Sequence, residues 1–311
     1  MLQIFNVVLP VFGLLGLGYF AVRLRLYPAD GVRGLVAFVN NFATPCLLFG
    51  AMLTSNFAST FNIAIIAPFY AGALTSLFVG AWVARRFFGD RPGESVASGF
   101  SATFSNTVLI GIPVLQRAYG DAALPTVFSI IALHAPTLIT IGMLVMELSR
   151  RDGEPIGRAL AVALIRVVRN PLLIAVALGL TGNHFGIVLP EPATAFVNFM
   201  AAAVVPVALF GIGGALNEYR LGDSWGLALA MSVFKLIIHP IIAYVLMIHV
   251  LHVPMEFARY GILLAAMPAG INVYVFATYY DRNTQVAANT ILISTILSVL
   301  TITAWLYVLG T

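Results

Sequence analysis

Apolar residues run along this chain in long unbroken blocks, with neither the one-sided stripe of a soluble helix nor the alternation of a half-buried strand. Ten blocks stand out, near 2–22, 32–53, 62–84, 95–118, 122–147, 157–181, 192–216, 224–250, 255–279 and 285–309. Each is close to the ~20 residues a helix needs to cross the hydrocarbon core of a bilayer. A β-barrel would instead alternate polar and apolar residues in segments of about ten. The pattern therefore predicts an all-α membrane protein of ten transmembrane helices. The sixth block starts differently: Arg158, Arg166 and Arg169 read as an amphipathic entry lying in the interface, and the apolar residues from Pro171 onward cross. The first block has neither a basic leader nor a small-residue cleavage site, and reads as a retained helix.

Composition agrees with lipid as the main solvent. The 311 residues are 60% hydrophobic and only 9% charged, where soluble domains carry about a quarter charged residues. The formal net charge of +4 does not indicate a nucleic-acid partner, because the basic residues form no patch and sit in short loops between blocks. Those loops alternate in charge. Arg23, Arg25, Arg33, Arg85, Arg86, Arg91, Arg150, Arg151, Arg158, Arg166, Arg169, Arg220 and Arg282 fall on one side, and only Arg117 and Arg259 on the other. Positive charge stays on the cytoplasmic side. This predicts a multi-pass protein of the cell membrane with both termini outside the cytoplasm and the Ser149–Pro155 loop inside. The single cysteine, Cys46, excludes an intramolecular disulfide.

The two halves of the chain resemble each other. Phe38-Val39-Asn40 leads to Pro45-Cys46-Leu47-Leu48-Phe49-Gly50, and Phe196-Val197-Asn198 leads to Pro206-Val207-Ala208-Leu209-Phe210-Gly211. Pro92-Gly93-Glu94 before Gly99 matches Pro254-Met255-Glu256 before Gly261. Five helices per half is an odd number, so the second copy enters the membrane upside down. The expected units are 1–153 and 154–311, an inverted five-helix repeat of the kind many secondary transporters share.

Such transporters place their substrate where helices are interrupted near the membrane midplane. The fourth block reads Ser105-Asn106-Thr107-Val108-Leu109-Ile110-Gly111-Ile112-Pro113, and the ninth Met267-Pro268-Ala269-Gly270-Ile271-Asn272. Proline frees a carbonyl, glycine allows close approach, and asparagine offers donors and an acceptor without charge. A plain proline kink explains either segment alone, but their corresponding places in the two halves favour a site. Its candidate substrate-binding residues are Asn106, Thr107, Gly111, Pro113, Pro268, Gly270 and Asn272.

The stretch from Asn106 to Leu115, with Tyr119-Gly120 after it, resembles the fourth-helix motif of the auxin efflux carrier family. Met267-Pro268-Ala269-Gly270-Ile271 followed by Val275-Phe276-Ala277 is similar to that family's ninth helix, and Lys235, Leu236 and Pro240 to its eighth. The resemblance covers the full length and implies a carrier of small organic anions such as carboxylates. It also implies that helices 4 and 9 cross at Pro113 and Pro268, and that Asn106 faces a substrate carboxylate. A scaffold of helices 1, 2, 6 and 7 would then support a transport unit of helices 3–5 and 8–10, in a homodimer. The short central loop and Asn272 depart from the plant exporters and fit a prokaryotic relative with another substrate.

Lys235 is the one charged residue well inside a block. It reads either as an anion-attracting or alternating group, or as a structural amine at a helix end. His239, four residues on, and His134, beside Pro136, read either as proton relays or as satisfied polar groups between helices. No Asp or Glu falls at mid-membrane, so a carboxylate proton carrier is not expected. Proton or sodium coupling is left open, since neutral oxygens can hold sodium. No His-Glu-x-x-His motif and no aspartate pair occur in the blocks, so neither an enzyme nor a metal or cofactor site is expected; a serine approaching His134 in the fold leaves an intramembrane hydrolase as the minor alternative.

Overall fold

The computed structural model describes residues 2–54, 61–149, 171–218 and 224–310, together with 165, 169 and 222. Among these residues the chain is helical, and no strand forms beyond one isolated bridge between Ser105 and Ala269. An apolar solvent dictates this, because a helix satisfies its own backbone groups and an open sheet edge cannot.

The helices are α1 Leu2–Arg23, α2 Ala29–Phe38, α3 Thr44–Thr54, α4 Ile63–Phe87, α5 Pro92–Ser101, α6 Ile112–Tyr119 and α7 Leu124–Ser149. They are followed by α8 Pro171–His184, α9 Glu191–Ala215, α10 Trp225–Val233, α11 His239–Tyr244, α12 Met255–Ala265, α13 Asn272–Tyr280 and α14 Thr284–Leu309. Seven helical stretches are long and apolar enough to cross a membrane: Ile4–Arg23, Ala29–Thr54, Ile63–Phe87, Asp121–Ser149, Glu191–Glu218, Trp225–Val250 and Thr284–Leu309. Each coincides with a block read from the sequence. The charged start of the sixth block, with Arg158 and Arg166, lies outside the described residues, as does most of the Ser149–Pro155 loop.

Wider π turns join several of these pieces. Three of them, Val39–Ala43, Thr107–Gly111 and Phe234–Ile238, end two residues before Pro45, Pro113 and Pro240 respectively. A proline inside a helix lacks the N–H for the usual bond, and its ring presses on the carbonyl four residues back. One wider turn ahead of the ring relieves that clash and keeps the rod continuous, an adjustment that membrane helices tolerate.

The predicted fourth and ninth spans are not single rods. The fourth is α5, a non-helical stretch around Phe104–Asn106, then the π turn and α6; the ninth is α12, a stretch around Met267–Gly270, then α13. α9 packs along α1, α2 and α3, and α8 along α3. α4 packs on α5 and α11, α7 on α5 and α12, and α14 on α10. Large apolar side chains such as Leu17, Phe199 and Leu300 point outward. In water they would be a liability, whereas acyl chains are their natural neighbours.

The α1–α9 contact depends on glycine. A Cβ on Gly213 would collide with the carbonyl of Leu15, and one on Gly18 with the carbonyl of Phe210. Backbone cannot move aside as a side-chain tip can, so even a methyl group must push the helices apart. Gly213→Ala is expected to destabilise the protein by ~1–3 kcal/mol, the usual cost of overpacking. Gly13→Ala on the same α1, with nothing within 4 Å of its Cβ, is expected to leave thermal unfolding in detergent unchanged.

Candidate functional site

The two interruptions meet. The backbone N–H of Asn106 donates to the carbonyl of Pro268 at 2.7 Å, and that of Gly270 donates to the carbonyl of Phe104 at 2.9 Å. This short antiparallel bridge is how non-helical backbone survives away from water. Gly270 permits it: a Cβ there would lie 3.2 Å from the Ser105 carbonyl oxygen and 3.4 Å from the Asn106 Cα.

Side chains take up the remaining backbone groups. The N–H of Ser105 donates to His134 Nε2 at 3.2 Å, and that of Ala269 to Ser294 Oγ at 3.1 Å. Behind the crossing, Lys235 is fully buried. Its Nζ donates to the Ala265 carbonyl at 2.7 Å and lies 2.9 Å from His239 Nδ1. His239 Nε2 lies 3.0 Å from the Phe69 carbonyl, which can only accept. Nε2 therefore carries the proton, and Nδ1 accepts from the lysine. The amine thus meets the C-terminus of half-helix α12, where unpaired carbonyls attract positive charge.

In front of the crossing is a cavity of about 520 Å³. Asn106, Thr107, Gly270 and Asn272 line it. The Asn106 backbone is committed, its N–H to Pro268 and its carbonyl to the N–H of Gly111. Its Oδ1 accepts from the N–H of Leu109 at 3.2 Å. That leaves the side-chain NH2 as the donor this residue offers to a ligand. Two helix starts, at Thr107 and Asn272, border the same space. The N–H groups of Leu109, Val273 and Tyr274 in these first turns are taken by Asn106 Oδ1 and by the Gly270 and Ile271 carbonyls, and the helix dipoles still turn their positive ends to the space.

The structure separates the residues that the sequence grouped. Gly111, Pro113 and Pro268 do not line the cavity. Gly111 is a packing position, since a Cβ there would lie 2.7 Å from Leu264 Cδ1. The expected crossing at Pro113 is corrected: the first helix breaks at Phe104–Asn106, and Pro113 stands at the start of α6 after the π turn. Proline is tolerated in a first helical turn, where its missing N–H costs nothing. Pro268 does sit in its break, with its carbonyl in the bridge. His134, Lys235 and His239 support the crossing from behind and do not reach the cavity.

Among the lining residues that the sequence did not mark as site residues are Asn40, Asn41 and Arg169. Asn40 and Asn41 lie in the π turn before Pro45. Asn40 belongs to the repeated Phe-Val-Asn signature, which was the available clue. Arg169 is the one charged residue among the described residues of the lining. No group of three or more His, Cys, Asp or Glu suited to a metal ion occurs among the described residues.

A family model described as membrane transport protein matches residues 3–306. A Rhizobium meliloti protein named as a malonate transporter is 26% identical over 315 residues, covering 99% of this chain and 97% of its own. The Escherichia coli (strain K12) transporter YfdV is 25% identical, covering 96% of each chain. Auxin efflux carrier component 8 of Arabidopsis thaliana is 20% identical, covering 99% of this chain and 98% of its own.

Ser294→Ala would leave the Ala269 N–H buried without an acceptor. It is expected to lower stability by ~1–3 kcal/mol, read as thermal unfolding of the purified protein. Thr303→Ala on the same α14, whose hydroxyl bonds only the carbonyl one turn back, is expected to change little.

Proposed function

Because this chain belongs to the membrane transport protein family of the auxin efflux carriers, we propose that it is a secondary carrier of small organic anions, carboxylates first among them. The family and the relatives named above are transporters, and the chain is a multi-pass membrane protein. The observation that carries the choice of an anion is the character of the cavity wall. It presents the Asn106 amide, Asn40, Asn41, Asn272, two helix starts and Arg169, and no carboxylate among the described lining residues. A guanidinium and the positive ends of helix dipoles favour negative charge.

The proposed mechanism is elevator-like alternating access in a ten-helix protein built from inverted repeats 1–153 and 154–311. The scaffold is α1, the α2–α3 rod, α8 and α9, and the transport unit carries both broken helices. Support comes from the packing of α9 on α1, α2 and α3 and from the corresponding breaks in the two halves. The positive-inside distribution supports termini outside the cytoplasm, and the family likeness supports a homodimer. Asn106, Thr107, Gly270 and Asn272 contact the substrate in this reading. Gly111 and Pro113 shape one broken helix, and Pro268 the other.

A second reading adds proton coupling, and one contact favours it. His134 Nε2 accepts the Ser105 N–H next to the crossing. Protonating that nitrogen removes the acceptor and weakens the support of the break, which is a way to link a proton to a conformational step.

In proteoliposomes, solid-supported membrane recording with a panel of mono- and dicarboxylates is expected to give saturable currents. Asn106→Ala is expected to weaken apparent affinity about tenfold or more, the worth of a hydrogen bond to a charged group. Unchanged affinity and rate for a proven substrate would remove Asn106 from the site. If coupling runs through His134, His134→Gln is expected to abolish any dependence of uptake on an imposed pH gradient while leaving substrate affinity within about twofold.

A further inference from the structure

A second cavity lies away from the crossing, at the end of the molecule where α4 finishes, α5 begins and α7 finishes. It holds about 610 Å³. Its α4 wall is a single stripe, Phe78, Trp82 and Arg85, at spacings that put side chains on one helix face. The α7 wall is Val145, Leu148 and Ser149. Phe78, Trp82 and Leu148 are large apolar groups more than half exposed, at 51%, 58% and 66%. The groove is therefore open sideways to the surrounding lipid.

Its chemistry is graded along its length. Phe78 and Val145 are apolar, and Arg85 and Ser149 stand at the helix ends, about 10 Å further along α4 by the rise of a helix. Trp82 lies between, a residue that favours the level where headgroups meet acyl chains. Arg85 is exposed and is the one charged residue among the described residues of the lining. The adjacent Arg86 is engaged differently, with its guanidinium 5.6 Å from the Phe87 ring centroid. A cation with no carboxylate partner among the described residues, at the polar end of an apolar lateral groove, matches one kind of occupant in a bilayer.

We propose that this groove between α4 and α7 is a binding site for an anionic phospholipid, its phosphate on Arg85 and an acyl chain along Phe78, Val145 and Leu148. The charge selects the headgroup and the apolar floor holds the chain, as in basic pockets between membrane helices. α4 and α7 both pack on α5, the first half of one broken helix. A lipid here would brace that half-helix from the membrane side. The site is separate from the substrate cavity and does not depend on the identity of the transported solute.

Native mass spectrometry of the full chain in detergent, titrated with phosphatidylglycerol and with phosphatidylcholine of the same acyl chains, tests this. The wild type is expected to prefer phosphatidylglycerol by about fivefold or more, the worth of one cation near an anionic lipid. Arg85→Gln is expected to remove the preference, Arg85→Lys to keep most of it, and Arg86→Gln to leave it unchanged. Equal binding of the two lipids by the wild type would overturn the proposal. So would a preference that survives Arg85→Gln, or one lost equally in Arg86→Gln, which would mark a diffuse surface charge. Displacement of the lipid by millimolar inorganic phosphate would also overturn it, since it would mark a site for free anions.

Discussion

The constraint on which this structure turns is that broken backbone inside a membrane must find partners within the protein. Two hydrogen bonds answer it, Asn106 N–H to Pro268 and Gly270 N–H to Phe104. Each break alone would leave polar groups stranded at a cost of several kcal/mol apiece. Brought together, the two breaks satisfy each other. The arrangement then creates something neither helix has by itself: two helix starts bordering one cavity that carries several polar side chains.

The groups behind the crossing follow from the same constraint. Ser105 and Ala269 each have an N–H that the bridge does not use, and His134 and Ser294 accept them. The end of α12 leaves carbonyls without helical partners, and Lys235 donates to one of them and to His239 Nδ1. A buried lysine is costly on its own. Here it meets a helix C-terminus and a histidine nitrogen, so a residue that looks like a charge placed for function also has a structural account.

Two kinds of surface surround this centre. Where α1 meets α9, glycines bring backbones into direct contact, and the interface is set by shape rather than by side-chain chemistry. Small residues serve this way in lipid because tails compete with any larger apolar group on equal terms. Elsewhere, large apolar side chains point outward to the acyl chains, and the groove at Arg85 interrupts that lining with one charge.

The sequence by itself determined where the helices run, because a hydrocarbon solvent converts an apolar block directly into a spanning helix and allows few alternatives. Seven long stretches match their blocks, and the segments around Asn106 and Pro268 were legible as interruptions because Asn, Gly and Pro are costly there. It also paired Lys235 with His239 through their helical spacing. The family resemblance put the crossing at Pro113, because a proline signals a disturbance without saying which side of it yields. The chain there widens into a π turn over Thr107–Gly111 and breaks earlier, where Pro268 and Gly270 supply partners from 162 and 166 residues away. Only the tertiary structure decided that Asn40, Asn41 and Arg169 share a wall with Asn106, and that Gly111 lies off that cavity, against Leu264. Periodicity and composition report on each helix against its solvent, whereas a cavity belongs to the faces that several helices turn toward one another.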